Sequence, residues 1–300
     1  MSHAIETQEL HYRAGNGFTL QGVSMHVPAG SIYGFLGPNG SGKTTTIRLL
    51  LALLRPDGGR IRVLDGSMPQ DAPRLLARIG FVPEQPHLDS TFTIREILDF
   101  QAAFYRTWDG RRADDLLGRF QLDEQQLFGR LSKGQKAKVL ILLALAQRGD
   151  LLVLDEPTDG LDPVVRRDIL HALLEYVSQY KATILISSHL VHELERICDW
   201  IGVLDDGRLI AETPMATLKN GVKRLRVRHA PESIGAVPFV LLARRARNGT
   251  GETWVVRDWM PEMSSYFAGV GASLEDVIDL DLEDGFVELL RATRQPAGRT

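Results

Sequence analysis

Cysteine is almost absent from this 300-residue chain, which contains only Cys198. A single cysteine cannot form a disulfide within the chain, which is typical of proteins in a reducing compartment. Long apolar runs are also missing, since the longest, such as Val139 to Ala146, has eight residues, far fewer than the roughly 20 that cross a bilayer. The first residues lack the basic and then apolar pattern of a secretory signal. We therefore expect a cytoplasmic chain that depends on another protein for any membrane association.

Neither sign of charge dominates the sequence. Lys and Arg number 35 and Asp and Glu number 38, so the net charge is 35 − 38 = −3. This balance excludes a global basic field and argues against bulk nucleic-acid binding. Repeats of about 20–50 residues are also missing, which excludes solenoids and propellers. The length is typical of two domains.

The first 215 residues alternate short apolar runs with stretches of helical period. Strands are predicted at Ser31–Leu36, Leu151–Leu154 and Thr183–Ser187, and helices at Thr44–Leu54 and Val164–Gln179. Residues 93–129 have helical periodicity and few β-branched residues, which indicates a helical insert. Apolar runs of this length joined by helices favour an α/β fold with parallel strands covered on both faces.

The composition changes after about residue 220. Residues 221–250 carry seven Lys or Arg against one acid, whereas residues 251–300 carry ten acids against four Arg. The pattern predicts a strand at Arg224–His229, a hairpin turning at Asn248-Gly249, and a helix at Leu282–Ala292. We expect a small α+β accessory domain whose oppositely charged halves pack together or form solvated faces. A regulatory or docking surface is the alternative.

A phosphate-binding loop is the clearest motif in the sequence. Its pattern of Gly, four residues and Gly-Lys-Thr follows a predicted strand and precedes a predicted helix. Glycines let several backbone N–H groups converge on a phosphate, and the start of the helix adds its positive dipole end. Lys43 is expected to reach the β- and γ-phosphates, and the Thr44 hydroxyl to hold Mg²⁺. The predicted ATP-binding residues here are Gly37, Pro38, Asn39, Gly40, Ser41, Gly42, Lys43, Thr44 and Thr45.

Two acids follow the buried strand at Leu151–Leu154. Asp155 and Glu156 are expected at the carboxyl edge of the sheet, beside the phosphate loop. Asp155 can orient Mg²⁺, directly or through water, and Glu156 can polarise an attacking water. The sequence thus predicts nucleotide hydrolysis rather than binding alone.

The segment Leu131-Ser132-Lys133-Gly134-Gln135 resembles the Leu-Ser-Gly-Gly-Gln signature of the ABC ATPase family, with Lys133 replacing the first Gly. Gly160-Leu161-Asp162 resembles the family's D-loop, and Ser187-Ser188-His189 its switch histidine. Tyr12 resembles the aromatic that stacks on adenine, and Phe18 competes for that role. The resemblance extends from residue 5 to about residue 215.

This resemblance implies a P-loop NTPase core with a mostly parallel sheet and an antiparallel β N-terminal part. It places an ATPase domain at residues 1–220, with a helical insert at about 88–145, and leaves residues 221–300 as the accessory domain. It implies ATP and Mg²⁺ as ligands, with His189 catalytic beside Asp155 and Glu156. The residues implied to contact ATP of a second, identical subunit are Ser132, Lys133, Gly134, Gln135 and Asp162.

The resemblance is closest to exporter-type subunits, in part through the segment Asp281–Leu289. It implies a separate membrane permease, docking on the surface between Phe81 and Gln101, and a position on the inner face of the cell membrane. A soluble relative acting on nucleic acid or ribosomes is the rival function, supported only by the basic residues at 223–228 and 244–247. No nucleic-acid partner is expected, because the long coiled coils or duplicated cores of such relatives are missing. A P-loop kinase explains neither the signature nor His189.

One position departs from the family pattern. The family has Gln directly after Val-Pro, where this chain has Glu84 followed by Gln85. Either side chain offers an oxygen to Mg²⁺ and to the attacking water, so the sequence leaves both as candidates.

Overall fold

The computed structural model describes residues 2–15, 17–247 and 251–294. The chain divides into two compact units, Met1–Glu212 and Thr213–Thr300. This division lies somewhat before the boundary expected at residue 220.

An antiparallel sheet forms the N-terminal part of the first unit. Its strands are β1 (His3–Arg13), β2 (Thr19–Val23), β3 (His26–Pro28), β5 (Gly58–Val63) and β6 (Gly66–Met68). Strand β1 pairs with β2, β3 and β5, and every pairing is antiparallel. The sheet agrees with the antiparallel part that the sequence predicted.

A six-stranded sheet forms the nucleotide core, in the order β11-β10-β4-β9-β8-β7. Its strands are β4 (Ile32–Leu36), β7 (Ile79–Val82), β8 (Leu151–Asp155), β9 (Thr183–Ser188), β10 (Trp200–Asp205) and β11 (Arg208–Pro214). The neighbouring pairs β10–β4, β4–β9, β9–β8 and β8–β7 are parallel. The three central strands are buried along their whole length, as expected of strands covered on both faces. The predicted α/β class is confirmed.

Helices of the core connect these strands. They are α1 (Lys43–Leu50), α2 (Ala72–Leu76), α6 (Pro163–Tyr180) and α7 (Val191–Leu194). Helix α1 ends four residues before the predicted Leu54, because Ala52 adopts a left-handed conformation with φ of 55°. A residue in that conformation cannot continue a right-handed helix.

The predicted insert is helical, with α3 (Ile94–Ala102), α4 (Gly110–Phe120), a 3-10 turn (Phe128–Arg130) and α5 (Lys133–Ala146). Two of these helices begin at capping boxes, Thr93 with Glu96 for α3 and Ser132 with Gln135 for α5. Each box satisfies amide donors that the first helical turn leaves unpaired. The start of α5 is therefore fixed at the signature.

The second unit is a four-stranded antiparallel sheet with helices. Its elements are α8 (Met215–Gly221), β12 (Lys223–Arg228), β13 (Val240–Ala246), β14 (Gly251–Arg257), a 3-10 turn (Pro261–Ser264), α9 (Ser265–Gly269), β15 (Ser273–Asp279) and α10 (Leu282–Arg294). The strand order is β13-β14-β12-β15. Strands β13 and β14 pair as the predicted hairpin, whose turn at Asn248-Gly249 lies outside the described residues. Trp254 and Phe267 lie at the centre of the core.

The opposite charges of the second unit pair with one another. Lys223 lies 2.7 Å from Asp279 on the neighbouring strand, and Arg226 lies 3.5 Å from Asp276. Further close pairs include Arg224 with Asp284, Arg228 and Arg247 with Glu275, Arg244 with Glu252, and Arg245 with Glu288. These contacts agree with the first explanation given for the charge pattern, the packing of the two halves together.

Among the described residues, no helix is both long enough and apolar enough to cross a membrane.

Candidate active site

A cleft of about 360 Å³ lies at the carboxyl ends of strands β4 and β8. Its walls come from four parts of the first unit: the N-terminal sheet, the phosphate loop, the loop after β7 and the end of β8. The lining residues are Ala14, Phe18, Asn39, Gly40, Gly42, Lys43, Thr44, Thr45, Glu84 and Glu156. Most of the predicted phosphate loop is therefore brought to a single cavity.

Glycines set the shape of the phosphate loop. Gly40 and Gly42 have φ of 81° and 110°, conformations that side chains disfavour. A Cβ at Gly37 would lie 2.3 Å from the Leu204 carbonyl oxygen, so the loop packs closely on strand β10. Ser41 Oγ is buried and makes no hydrogen bond among the described residues. An unpaired buried hydroxyl is costly, and here it suits a loop that receives a polar ligand.

Lys43 is buried within this loop at the first position of α1. Its ammonium donates to the carbonyl oxygens of Gly37 at 2.7 Å and Pro38 at 3.3 Å. It also lies 3.1 Å from Glu156 Oε1, and both side chains are less than 10% exposed. The positive charge is thus balanced inside the protein and held at the cleft.

Ser187 joins the two acids at the end of β8. Because Asp155 is the register partner of Ser187 on β9, the serine hydroxyl donates to Asp155 Oδ1 at 2.7 Å. Ser187 Oγ in turn accepts from the backbone N–H of Glu156 at 2.9 Å. In the sequence, Ser187 stands out only as part of the switch segment. Its position at the end of a strand that neighbours β8 is the feature that could have indicated its contact with the two acids. Ser187 therefore fixes both acids.

Asp155 is buried beside Thr44. Burial raises the pKa of Asp155, while hydrogen bonds from Ser187 and Thr44 and the charge of Lys43 oppose the rise. A buried carboxylate and a hydroxyl in contact are hard oxygen donors of the kind that Mg²⁺ prefers. The residues present fit the predicted metal.

Glu156 connects the phosphate loop to the switch histidine. Its backbone has φ of 49°, a strained conformation of a kind often found at functional sites. Glu156 Oε2 lies 2.9 Å from His189 Nδ1, while Oε1 faces Lys43. The two predicted catalytic groups are in contact, and the carboxylate is held by a cation on each side when His189 is protonated.

The aromatic beside the phosphate loop is Phe18, and Tyr12 does not line the cleft. Any side chain at Gly42 would meet the Phe18 ring, since a Cβ there would lie 2.6 Å from Phe18 Cζ. Tyr12 is half buried on β1 and packs on the hydrophobic core. Phe18 packs on the same core and also lines the cleft, so the geometry favours the competitor, while the assignment of Tyr12 to adenine stays a prediction.

Glu84 lines the cleft, whereas Gln85 does not. The backbone carbonyl oxygen of Gln85 lies 3.1 Å from His87 Nδ1, within the loop after β7. Of the two candidates that the sequence left open, Glu84 is the one positioned toward the phosphate loop.

The signature residues line a different groove, of about 520 Å³. It is formed by the start of α5, the end of α4 and the D-loop, and it includes Ser132, Lys133, Gly134, Gln135 and Asp162. Ser132 and Gln135 cap α5, and Asp162 caps α6 by accepting from the N–H groups of Val164 and Val165. The predicted trans residues are thus brought together in a groove that shares no lining residue with the cleft of the phosphate loop.

Comparisons with known proteins agree with this arrangement. The family described as ABC transporter matches residues 20–159. The bacitracin transport ATP-binding protein BcrA of Bacillus licheniformis is 35% identical over 221 residues, covering 73% of this chain and 72% of the relative. The Nod factor export ATP-binding protein I of Burkholderia orbicola (strain AU 1054) is 38% identical over 224 residues, covering 73% of each.

Solved structures give the same result. An ATP-binding subunit of an ABC transporter superposes with a TM-score of 0.67 and 29% identity, covering 72% of this chain and 92% of that chain. CbiO1 of Clostridium perfringens, part of an ABC transporter complex, has a TM-score of 0.62 and 28% identity, with coverage of 72% and 90%. The predicted family is confirmed: this chain belongs to the ABC transporter ATP-binding proteins and is an ATPase.

Proposed function

We propose that two copies of this chain close head to tail around two ATP molecules and drive a separate membrane subunit in export. The observation that carries the proposal is the separation of two ligand-binding surfaces. Among the described residues, the cleft of Lys43 and Glu156 and the groove of Ser132 and Gly134 share no lining residue. A signature that offers a hydroxyl, backbone N–H groups and a helix N-terminus to a phosphate therefore needs ATP from a second subunit.

Within the cleft, each side chain has a role suited to its position. Lys43 would hold the phosphates, and Thr44, Asp155 and Glu84 would hold Mg²⁺, which when bound would neutralise charge on the phosphates. Glu156 orients or deprotonates the attacking water, and His189, bonded to its Oε2, holds that carboxylate in place. Phe18 offers its ring face to the base.

The dimer can be tested with Glu156→Gln, which keeps the shape of the side chain and removes its charge. This variant should bind ATP without hydrolysing it and should accumulate as a dimer in size-exclusion chromatography with ATP. Ser132→Arg in the same chain should abolish the dimer, because the bulky cation blocks the signature groove. A Glu156→Gln protein that binds ATP and stays monomeric at all protein concentrations would contradict the homodimer and point to a different partner chain.

Export is proposed because relatives carry that function in their names: Nod factor export protein I is one of them. We also propose that the surface between Phe81 and Gln101 docks the membrane subunit and holds the chain at the inner face of the cell membrane. Phe100 supports this, since 58% of its surface is exposed, and it contacts the still more exposed Phe104. Exposed aromatic side chains that lie together are typical of protein interfaces.

The docking surface has a direct test. Phe100→Asp should prevent co-purification with the proposed membrane subunit, while ATP binding stays intact. Leu53→Asp is the matched control, because Leu53 is equally exposed, at 59%, outside the insert. Loss of the complex in both variants would show that the effect is not specific to this surface.

Binding of nucleic acid receives no support from the second unit. Its basic residues at 223–228 and 244–247 include Lys223, Arg226 and Arg245, which pair with acids of the same unit. Paired side chains have little free charge for a phosphate backbone. A nucleic-acid binding assay across salt concentrations should therefore show no salt-sensitive affinity.

A further inference from the structure

Lys133 replaces a glycine of the family signature, and it begins a row of alternating charges. Its Nζ lies 3.4 Å from Asp159 Oδ2, and Asp159 Oδ1 lies 3.8 Å from His189 Nε2. His189 Nδ1 lies 2.9 Å from Glu156 Oε2. Glu156 Oε1 lies 3.1 Å from Lys43 Nζ. The row connects the signature at the start of α5 with the phosphate loop of the same chain.

His189 stands between two carboxylates in this row. A neutral imidazole has one N–H and one acceptor nitrogen, so it can donate to Glu156 or to Asp159 but not to both. The distance of 2.9 Å to Glu156 is that of a hydrogen bond, and the distance of 3.8 Å to Asp159 is not. Neutral His189 therefore carries its proton on Nδ1 and donates to Glu156, provided that Asp159 does not compete for it.

We propose that Lys133 is a positioning residue for His189: it neutralises Asp159 and thereby keeps the His189 proton directed at Glu156. The proposal rests on the roles given above to Glu156 and His189. An anion that enters the signature groove competes with Asp159 for the Lys133 ammonium. Asp159 then becomes free to attract His189, so occupancy of the groove is transmitted to the hydrolytic pair of the same chain.

Lys133 contributes little to the stability of the fold. The Lys133 and Asp159 side chains are 65% and 46% exposed, and ion pairs of that exposure contribute little to stability. Variants at either position should therefore fold, and their effects can be assigned to the position of His189.

The tautomer of His189 gives a test that needs no ATP. In ¹⁵N-labelled full-length protein at alkaline pH, long-range imidazole correlations should show Nδ1 protonated in the wild type, with His189→Gln identifying the signal. Lys133→Met should move the proton to Nε2, and adding Asp159→Asn should return it to Nδ1. Lys133→Arg should resemble the wild type. Lys136→Met, the control one turn along α5, should also leave the proton on Nδ1, because Lys136 lies over the Phe128 ring. An unchanged tautomer in Lys133→Met would overturn the inference.

ATP hydrolysis provides the second readout. A hydrogen bond is worth about 0.5–1.5 kcal/mol, which corresponds to roughly 2- to 12-fold in rate. The double variant Lys133→Met/Asp159→Asn should hydrolyse ATP faster than Lys133→Met by that factor. No recovery would contradict the positioning role. Unimpaired hydrolysis by Glu156→Gln, together with the expected tautomers, would instead contradict the role of Glu156 and leave the positioning of His189 standing.

Discussion

Replacing Lys43 by Met removes the cation beneath the phosphate loop while keeping most of the aliphatic stem. The Lys43 and Glu156 side chains are 6% and 9% exposed, and their charges lie 3.1 Å apart. The substitution therefore leaves the Glu156 carboxylate buried without its nearest positive partner. It also removes the donor that binds the carbonyl oxygens of Gly37 and Pro38.

The expected loss of stability follows from this burial. Removing one member of a buried ion pair costs about 3–5 kcal/mol. The lower end applies here, because His189 still contacts the other oxygen of Glu156. For a unit the size of Met1–Glu212, about 3 kcal/mol corresponds to a Tm lower by roughly 6–12 °C.

Calorimetry without nucleotide measures this change. Adding Glu156→Gln to Lys43→Met should recover most of the lost Tm, because a neutral amide is cheaper to bury than an unpaired carboxylate. Lys136→Met, a matched loss of charge on a lysine paired with no acid among the described residues, should change the Tm far less. ATP with Mg²⁺ should raise the wild-type Tm by mass action and leave Lys43→Met almost unchanged. Equal Tm values for Lys43→Met and the double variant would refute the role of the buried pair.

Three further predictions concern single positions. Phe18→Ala should weaken the binding of ATP and GTP alike by roughly 2- to 12-fold, because an aromatic stack contributes about 0.5–1.5 kcal/mol. Equilibrium fluorescence titration should show a smaller effect for Tyr12→Ala. The reverse order would favour Tyr12 as the aromatic that stacks on the base. Glu84→Ala should raise the Mg²⁺ concentration needed for half-maximal hydrolysis more than Gln85→Ala does, and equal shifts would count against Glu84. Hydrogen bonding to Arg245 lowers the pKa of Glu288. Ionised Glu288 therefore stabilises the second unit at pH values above the unfolded carboxyl pKa of about 4.3. That stability is lost as the pH falls through the lower folded pKa. Urea unfolding at acidic pH should therefore show a weaker pH dependence for Glu288→Gln, and an identical slope would contradict the pairing.

The parallel core could be predicted from sequence because its strands are buried on both faces. Leu151–Asp155 and Thr183–Ser188 are mostly apolar segments that end in polar residues. Composition alone therefore indicates that they are buried parallel strands and that the site lies at their carboxyl ends. The phosphate loop was equally predictable, since its glycines are required by backbone conformation. Features set by local physical constraints of this kind can be predicted directly from the sequence.

The choice of aromatic and of loop acid at the cleft could not be predicted in this way, because it depends on how a turn and a loop fold. Tyr12 lies on β1, whereas Phe18 lies in the turn before β2, closed by the Ala14 N–H to Phe18 carbonyl bond, and only this folded turn shows which ring lines the cleft. Glu84 and Gln85 point differently because of the path of a loop without regular structure. The role of Asp159 could not be predicted from sequence, because it depends on contacts with Lys133 and His189, which are distant in sequence.

Single-turnover hydrolysis by Glu156→Gln tests the central claim, that Glu156 acts on the attacking water in a cleft that binds ATP independently of that charge. The variant should bind ATP at least as tightly as the wild type, because removing the carboxylate removes repulsion of the phosphates. Its rate of hydrolysis should be lower by about 10²–10⁴-fold, the usual contribution of a general base. A variant that binds ATP and hydrolyses it at the wild-type rate would contradict this account of the site.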